Sequence, residues 1–175
     1  MKILAFSDSH YEIKAMQRAI RKHKDAEVII FCGDGESDLQ TIRLEYPDKH
    51  YLAVRGNCDW YATFPYTEEM MICGRKFFVT HGHLLGVKQG YQRLINMGRS
   101  VSADVVVFGH THKQFTSVEG PMLFMNPGSI GFGERYSVIE LSEDSDQVKV
   151  TEYPHDEYGP VKVDLKRHSQ PTITE

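Results

Sequence analysis

Two short histidine repeats stand out in this sequence, His81-Gly82-His83 and His110-Thr111-His112. Each follows an apolar run, Phe77–Val79 and Val105–Phe108. Alternate residues of an extended segment share a face, so a His-x-His pair can aim two imidazoles at one ligand. Three other groups follow apolar runs in the same way. Ile3–Phe6 leads to Asp8-Ser9-His10, Val28–Phe31 to Gly33-Asp34, and Tyr51–Val54 to Gly56-Asn57-Cys58-Asp59. Each group alone has a plainer reading. Asp8 is a good cap for a following helix, and Gly33-Asp34 and Gly56-Asn57 suit ordinary turns. Five such endings in one chain are not expected by chance.

The donor types decide what is bound. Asp8, His10, Asp34, Asn57, His81, His110 and His112 offer carboxylates, imidazoles and an amide oxygen, without paired thiolates. That set suits Mn, foremost, and Fe, Co, Ni or Zn, rather than Ca. It exceeds what one tetrahedral zinc site uses. Two divalent ions about 3.5–4 Å apart, sharing a carboxylate, would use all of it. Two carboxylates and a bridging hydroxide leave such a pair net positive. Phosphoryl hydrolysis needs that positive charge at the substrate.

The elements that must position these residues alternate. Between the first two apolar runs, Ile13, Met16, Ala19 and Ile20 recur at helical spacing within Tyr11–Lys24. Lys88–Arg99 reads as a helix with Tyr91, Leu94 and Ile95 on one face, and Asp38–Leu44 as a shorter one. Strand–helix–strand alternation predicts a layered α/β fold. In such sheets ligands bind beyond the carboxyl ends of the strands, so five strands sharing one sheet and one direction would bring the groups to one crevice. The second part changes character. Glu68–Cys73 and Lys76–Thr80 flank Gly74-Arg75 as a hairpin. Phe115–Val118, Met122–Met125, Tyr136–Leu141 and Gln147–Tyr153 then read as an antiparallel meander. The tail carries Pro154, Pro160 and Pro171; Val161–Leu165 alternates like an edge strand, and the last residues are expected to fray. With no linker in view, residues 1–175 are expected to form a single domain.

Bulk properties exclude several classes. The 175 residues are 41% hydrophobic and 25% charged, enough for one core. The N-terminal apolar run meets charge at Asp8 and is too short for a signal peptide or a membrane span. Cys32, Cys58 and Cys73 form no C-x-x-C pair, which argues against a disulfide framework and fits a reducing cytoplasm. The net charge of -4 argues against generic nucleic-acid binding. Arg18, Arg21, Lys22 and Lys24 read as a solvated helix face. A symmetric homo-oligomer is the ordinary expectation.

Taken in order, Asp8-x-His10, Gly33-Asp34, Gly56-Asn57-x-Asp59, the His81 segment and Gly109-His110-x-His112 resemble the motif series of the calcineurin-like metallophosphoesterases. The short length, Gly56-Asn57-Cys58-Asp59 and Asn126-Pro127-Gly128-Ser129 are similar to the small YfcE-type phosphodiesterases. The resemblance implies a four-layer α/β/β/α sandwich, two packed sheets flanked by helices. It implies Asp8, His10, Asp34 and His112 on one ion and Asp34, Asn57, His81 and His110 on the other, with Asp34 bridging. The expected activity is hydrolysis of a small phosphoester, most simply a phosphodiester, by metal-activated water. Asp34, Asn57, Asp59 and His83 are the catalytic candidates. Two alternatives stand beside it. One is a scaffold of the same fold, like the related retromer subunit; the other is a phosphomonoesterase or pyrophosphate hydrolase. Many phosphatases of the family carry His after Gly-Asn. Here it is Cys58, either a proton donor or a space-filling side chain. His83 either orients a ligand, touches substrate or packs. Asn126–Ser129 reads as a turn at the rim of the site. Trp60, Tyr61 and Phe64 form either a wall for an aromatic or nucleoside leaving group or a local core cluster.

Overall fold

The computed structural model describes residues 1–154 and 160–167. Four-residue runs such as Val28–Phe31 and Val105–Phe108 are buried along their whole length, because each strand is covered on both faces. The strands form two sheets. One holds β1 (Lys2–Phe6), β2 (Val28–Phe31), β3 (His50–Ala53), β9 (Tyr136–Leu141), β10 (Gln147–Tyr153) and β11 (Val161–Asp164), in the order β11-β10-β9-β1-β2-β3. The other holds β4 (Thr67–Ile72), β5 (Arg75–Thr80), β6 (Val105–Phe108), β7 (Gln114–Glu119) and β8 (Met122–Pro127), in the order β4-β5-β6-β8-β7.

Pleating sorts the side chains into layers. Ile3, Ala5, Val28 and Ile30 meet Phe77, Val79, Val105 and Val107 in a core between the sheets. Leu4, Phe6, Ile29 and Phe31 point the other way, against helices α1 (Ile13–Lys22) and α2 (Glu36–Glu45). Phe78, Val106 and Phe108 pack against α3 (Gln92–Ser100). The result is the α/β/β/α sandwich. The edge strand expected at Val161–Leu165 is present as β11, paired with β10. Pro171 and the expected fraying lie outside the described residues.

Four expectations are corrected. The five motif-bearing strands do not share one sheet: β1, β2 and β3 run parallel in the first, β5 and β6 parallel in the second. The meander is split as well. β7 and β8 form a hairpin whose second strand pairs parallel with β6, while β9 and β10 join the first sheet beside β1. A buried strand can pair on either side, and sequence order does not say which. The β4–β5 turn is Cys73-Gly74, one residue earlier than expected, because Ile72 pairs with Arg75. Both turn residues have positive φ, 48° and 70°, which matches the strand twist. Finally, Asp8 does not cap α1, whose cap position is Glu12 with no side-chain capping bond.

Candidate metal centre

The carboxyl ends of β1, β2, β3, β5 and β6 all open on one edge of the sandwich, so the groups converge across both sheets. Two donor clusters result. In the first, His112 Nε2 lies 3.0 Å from Asp8 Oδ1, and His10 Nε2 lies 3.8 Å from the same oxygen and 3.4 Å from His112 Nε2. In the second, His81 Nε2 lies 3.4 Å from Asp34 Oδ2, 3.2 Å from Asn57 Oδ1 and 3.2 Å from His110 Nδ1. Asp34 joins them: it groups with His81 and His110 on one side and with His10 and Cys58 on the other. Asp8, Asp34 and His81 form a buried floor, His10, His110 and His112 a half-buried wall, and Asn57 an exposed rim.

Backbone conformation sets these side chains. Asp8, His10, Asp34, His110 and His112 all have positive φ, between 45° and 68°. Asp and His enter that region more readily than most residues, yet each such residue costs about 1–3 kcal/mol. Such strain persists only where the surroundings impose it, and it gathers at functional sites. The loops are also closely packed. A Cβ on Gly56 would lie 2.0 Å from Asp34 Oδ1, so no larger residue fits behind that carboxylate.

Hydrogen bonds hold the donors in place. His81 Nδ1 is 2.6 Å from the Cys32 carbonyl. A carbonyl only accepts, so Nδ1 carries a proton and Nε2 is the nitrogen turned toward the cluster. Ser7 Oγ and the His110 N–H both donate to Asp8 Oδ2, at 2.5 and 3.1 Å. Asp8 Oδ1 is buried and accepts no hydrogen bond among the described residues. Three further supports appear: Ser129 was expected only as part of a rim turn, and sequence reasoning missed Asp38 and Phe132, because nothing in a lone Asp or Phe announces such a role. Ser129 Oγ donates to the Asp8 carbonyl, at 2.7 Å. Asp38 accepts from Ser9 Oγ and the Tyr11 N–H. Phe132 stacks on His112, with ring centroids 5.4 Å apart.

Charge is finely divided. Burial alone would raise the Asp34 carboxyl, but His81 and the Cys58 N–H outweigh it and hold the group well below the usual carboxylate range. Burial likewise works against a charged His81, and the carboxylates Asp34 and Asp8 outweigh it, raising its pKa. For His110, burial and then the charge of His81 push the pKa down to about 4. Partial desolvation of the exposed Cys58, then the Asp34 carboxylate, push its thiol up to about 11.

The other named residues take distinct places. Asp59 spends both oxygens on backbone: Oδ2 accepts from the Asp34 and Gly56 N–H groups, each at 2.8 Å, and Oδ1 from Gly35 and Glu36 at 2.9 and 3.0 Å. It thereby caps α2 from a different loop, where Gly35 has no side chain to do so. His83 belongs to neither donor cluster; its ring lies 5.3 Å from that of His81, and its buried Nδ1 has no hydrogen-bond partner among the described residues. Asn126, next to last in β8, donates to the Gly109 carbonyl, bracing the His110 loop from behind. The aromatic trio splits: Phe64 packs on the core under α1 and α2, while Trp60 and Tyr61 stand exposed. Arg18, Arg21, Lys22 and Lys24 are all exposed, Arg18 beside Glu134. Among the described residues no helix is long and apolar enough to cross a membrane.

Residues 1–145 match the calcineurin-like phosphoesterase superfamily domain. The chain belongs to that superfamily. Among curated relatives, a probable metallophosphoesterase of Bacillus subtilis, YsnB, is 35% identical over 156 residues, covering 85% of this chain and 89% of the relative. Phosphodiesterase YfcE of Escherichia coli is 28% identical over 153 residues, covering 74% and 79%. Among solved structures, a predicted phosphoesterase from Streptococcus pneumoniae superposes with a TM-score of 0.76 at 25% identity, covering 93% and 96%. Vps29 from Entamoeba histolytica superposes with a TM-score of 0.74 at 21% identity, covering 95% and 100%, which shows a shared fold. Asp8 Oδ1, buried, without a hydrogen bond among the described residues and facing the ring nitrogens of His112 and His10, is the feature here that a divalent cation would satisfy.

Proposed function

We propose that this chain hydrolyses phosphodiesters at a site holding two divalent metal ions. Asp8, His10, Asp34 and His112 would hold one, and Asp34, Asn57, His81 and His110 the other. Mn is preferred, with Ni, Co, Fe and Zn chemically allowed. The observation that carries the reading is Asp34, whose carboxylate belongs to donor groups on both sides of the crevice. When bound, such ions supply Lewis acidity and a nucleophile at neutral pH. The chain's own residues orient the donors. His81 is fixed through its Nδ1–H, Asp8 through Ser7, and the Asp34 loop through Asp59. His83 packs against the His81 ring and serves as a positioning residue. Asn57, on the exposed rim, is the donor most open to solvent. A small diester suits the open rim, and the relative named a phosphodiesterase supports that substrate class.

The test is elemental analysis of chain reconstituted with Mn, beside a panel of mono- and diesters. About two ions per chain and preferential diester cleavage are expected. Trace metal only would sink the proposal and favour a scaffold. Two ions with preferential monoester cleavage would retain the centre and change the substrate class.

A further inference from the structure

A cleft of about 370 Å³ opens beside the donor clusters, on the Cys58 side. Its size falls within the range of small-molecule sites, roughly 300–1,000 Å³. Tyr11, Trp60 and Tyr61 line it, and they are 85%, 80% and 99% exposed. A single exposed ring needs no explanation, but three around one depression mark a surface built to be covered. Tyr11 is also strained. Its φ is 71°, an outlier for a bulky residue, and the Asp38 carboxylate holds its N–H at 2.9 Å. The cleft adjoins the chemistry directly. Cys58 lines it, and the Cys58 sulfur lies within 4.8 Å of donor atoms of His10 and Asp34.

We propose that this cleft seats a nucleobase, so that the diesters cleaved are nucleoside phosphates; this rests on the diesterase reading above. The rings supply stacking faces, which accept any base. The polar groups choose among aromatic ligands. Gln40 lines the cleft with an exposed carboxamide that both donates and accepts, and no bond to it is formed among the described residues. Glu36 also lines the cleft; its Oε1 accepts from the Thr63 N–H and hydroxyl, and its Oε2 is buried. The exposed Gln40 amide, donor and acceptor at once, matches the paired exocyclic amine and ring nitrogen of an amino-bearing base. The Glu36 charge opposes a second phosphate in the cleft, and a hydrocarbon chain would leave the amide unanswered. Cys58 borders both the cleft and the donor atoms of His10 and Asp34, so a phosphate at the clusters would adjoin a base in the cleft.

The chain has one tryptophan, so its fluorescence reports the cleft directly. Zinc-loaded full chain is titrated with adenosine 5′-monophosphate and, separately, with ribose 5-phosphate. The nucleotide is expected to quench Trp60 at concentrations where the sugar phosphate leaves it unchanged. Tyr61→Ala, a fully solvated change, should raise the nucleotide concentration for half-quenching by about 5- to 150-fold, the alanine cost of one stacked base. Equal responses to both ligands would overturn the proposal, as would unaltered nucleotide titration in Tyr61→Ala. Base-dependent quenching in a protein that cleaves no diester would support the cleft and overturn the diesterase reading. Diester cleavage without base-dependent quenching would do the reverse.

Discussion

Replacing Asp59 by Asn tests whether this residue positions the site or performs its chemistry. The carboxylate accepts four backbone N–H groups, two on each oxygen. Asparagine keeps one acceptor oxygen and turns an NH₂ toward the other pair. Two amides then lose their acceptor, at about 1–3 kcal/mol each. The negative charge at the start of α2 is also lost, worth about 0.3–1 kcal/mol. Asp59 is only half-buried, so water repairs part of this, and about 3 kcal/mol is the expected net cost. For a domain of this size that lowers Tm by roughly 6–12 °C. The Asp34 and Gly56 loops are the ones released, so metal affinity should fall about 10- to 100-fold, as for other supports of metal ligands. At saturating Mn the hydrolysis rate should recover to within a few-fold of the parent. The assays are thermal unfolding without metal and kcat against Mn concentration. A Tm within 2 °C of the parent (far below the ~6 °C expected) would refute the structural argument. A kcat lower by about 10²–10⁴-fold at saturating metal would mean that Asp59 handles a proton or touches substrate.

Other outcomes follow from the same geometry. Asp34→Asn keeps the oxygen that receives the Cys58 N–H but removes the charge shared by both clusters, so metal content should drop from about two ions per chain to about one or fewer; unchanged content would mean the bridge is misassigned. His81→Ala should lose at least one ion while His83→Ala keeps both, and elemental analysis giving the reverse pattern would exchange their roles. His23 is buried against Tyr136, and burial, then the charges of Lys2 and Lys22, hold its pKa below the ordinary 6.5. The unfolded chain therefore takes up its proton first as pH falls. The stability that neutral His23 contributes is complete above pH 6.5 and is lost as pH falls through the depressed folded value. His23→Gln should flatten the decline in Tm between pH 7 and pH 5, and an identical decline in both proteins would contradict this.

Much of the site is legible in the sequence because its donors sit immediately after apolar runs. Val28–Phe31 and Gly33-Asp34 announce each other. The division of strands between sheets is hidden for a physical reason: Ile30 and Val107 are buried alike, and full burial on both faces erases the alternation that would orient a strand. Helix beginnings shift for local reasons. The helix expected from Lys88 starts only at Gln92, after Gly86 and Gly90 have taken positive φ. Asp59 was visible as a candidate, but its four amide partners depend on two loops meeting and cannot be counted from spacing. The partial burial of Phe64 beside the exposure of Trp60 and Tyr61 likewise depends on where the loop turns.

The left-handed backbone at the donor residues has an evolutionary consequence. A metal-free chain bears that strain without the compensating bond to an ion, so losing a donor can increase stability. His112→Gly should melt above the parent when both are metal-free, because glycine accepts positive φ without a Cβ penalty of about 1–3 kcal/mol. His112→Ala, which keeps the Cβ, should not; equal melting of the two variants would dismiss the argument. A lineage released from selection for hydrolysis would then drift downhill in free energy as its donors disappear. In such a lineage the sandwich would outlast its catalytic edge.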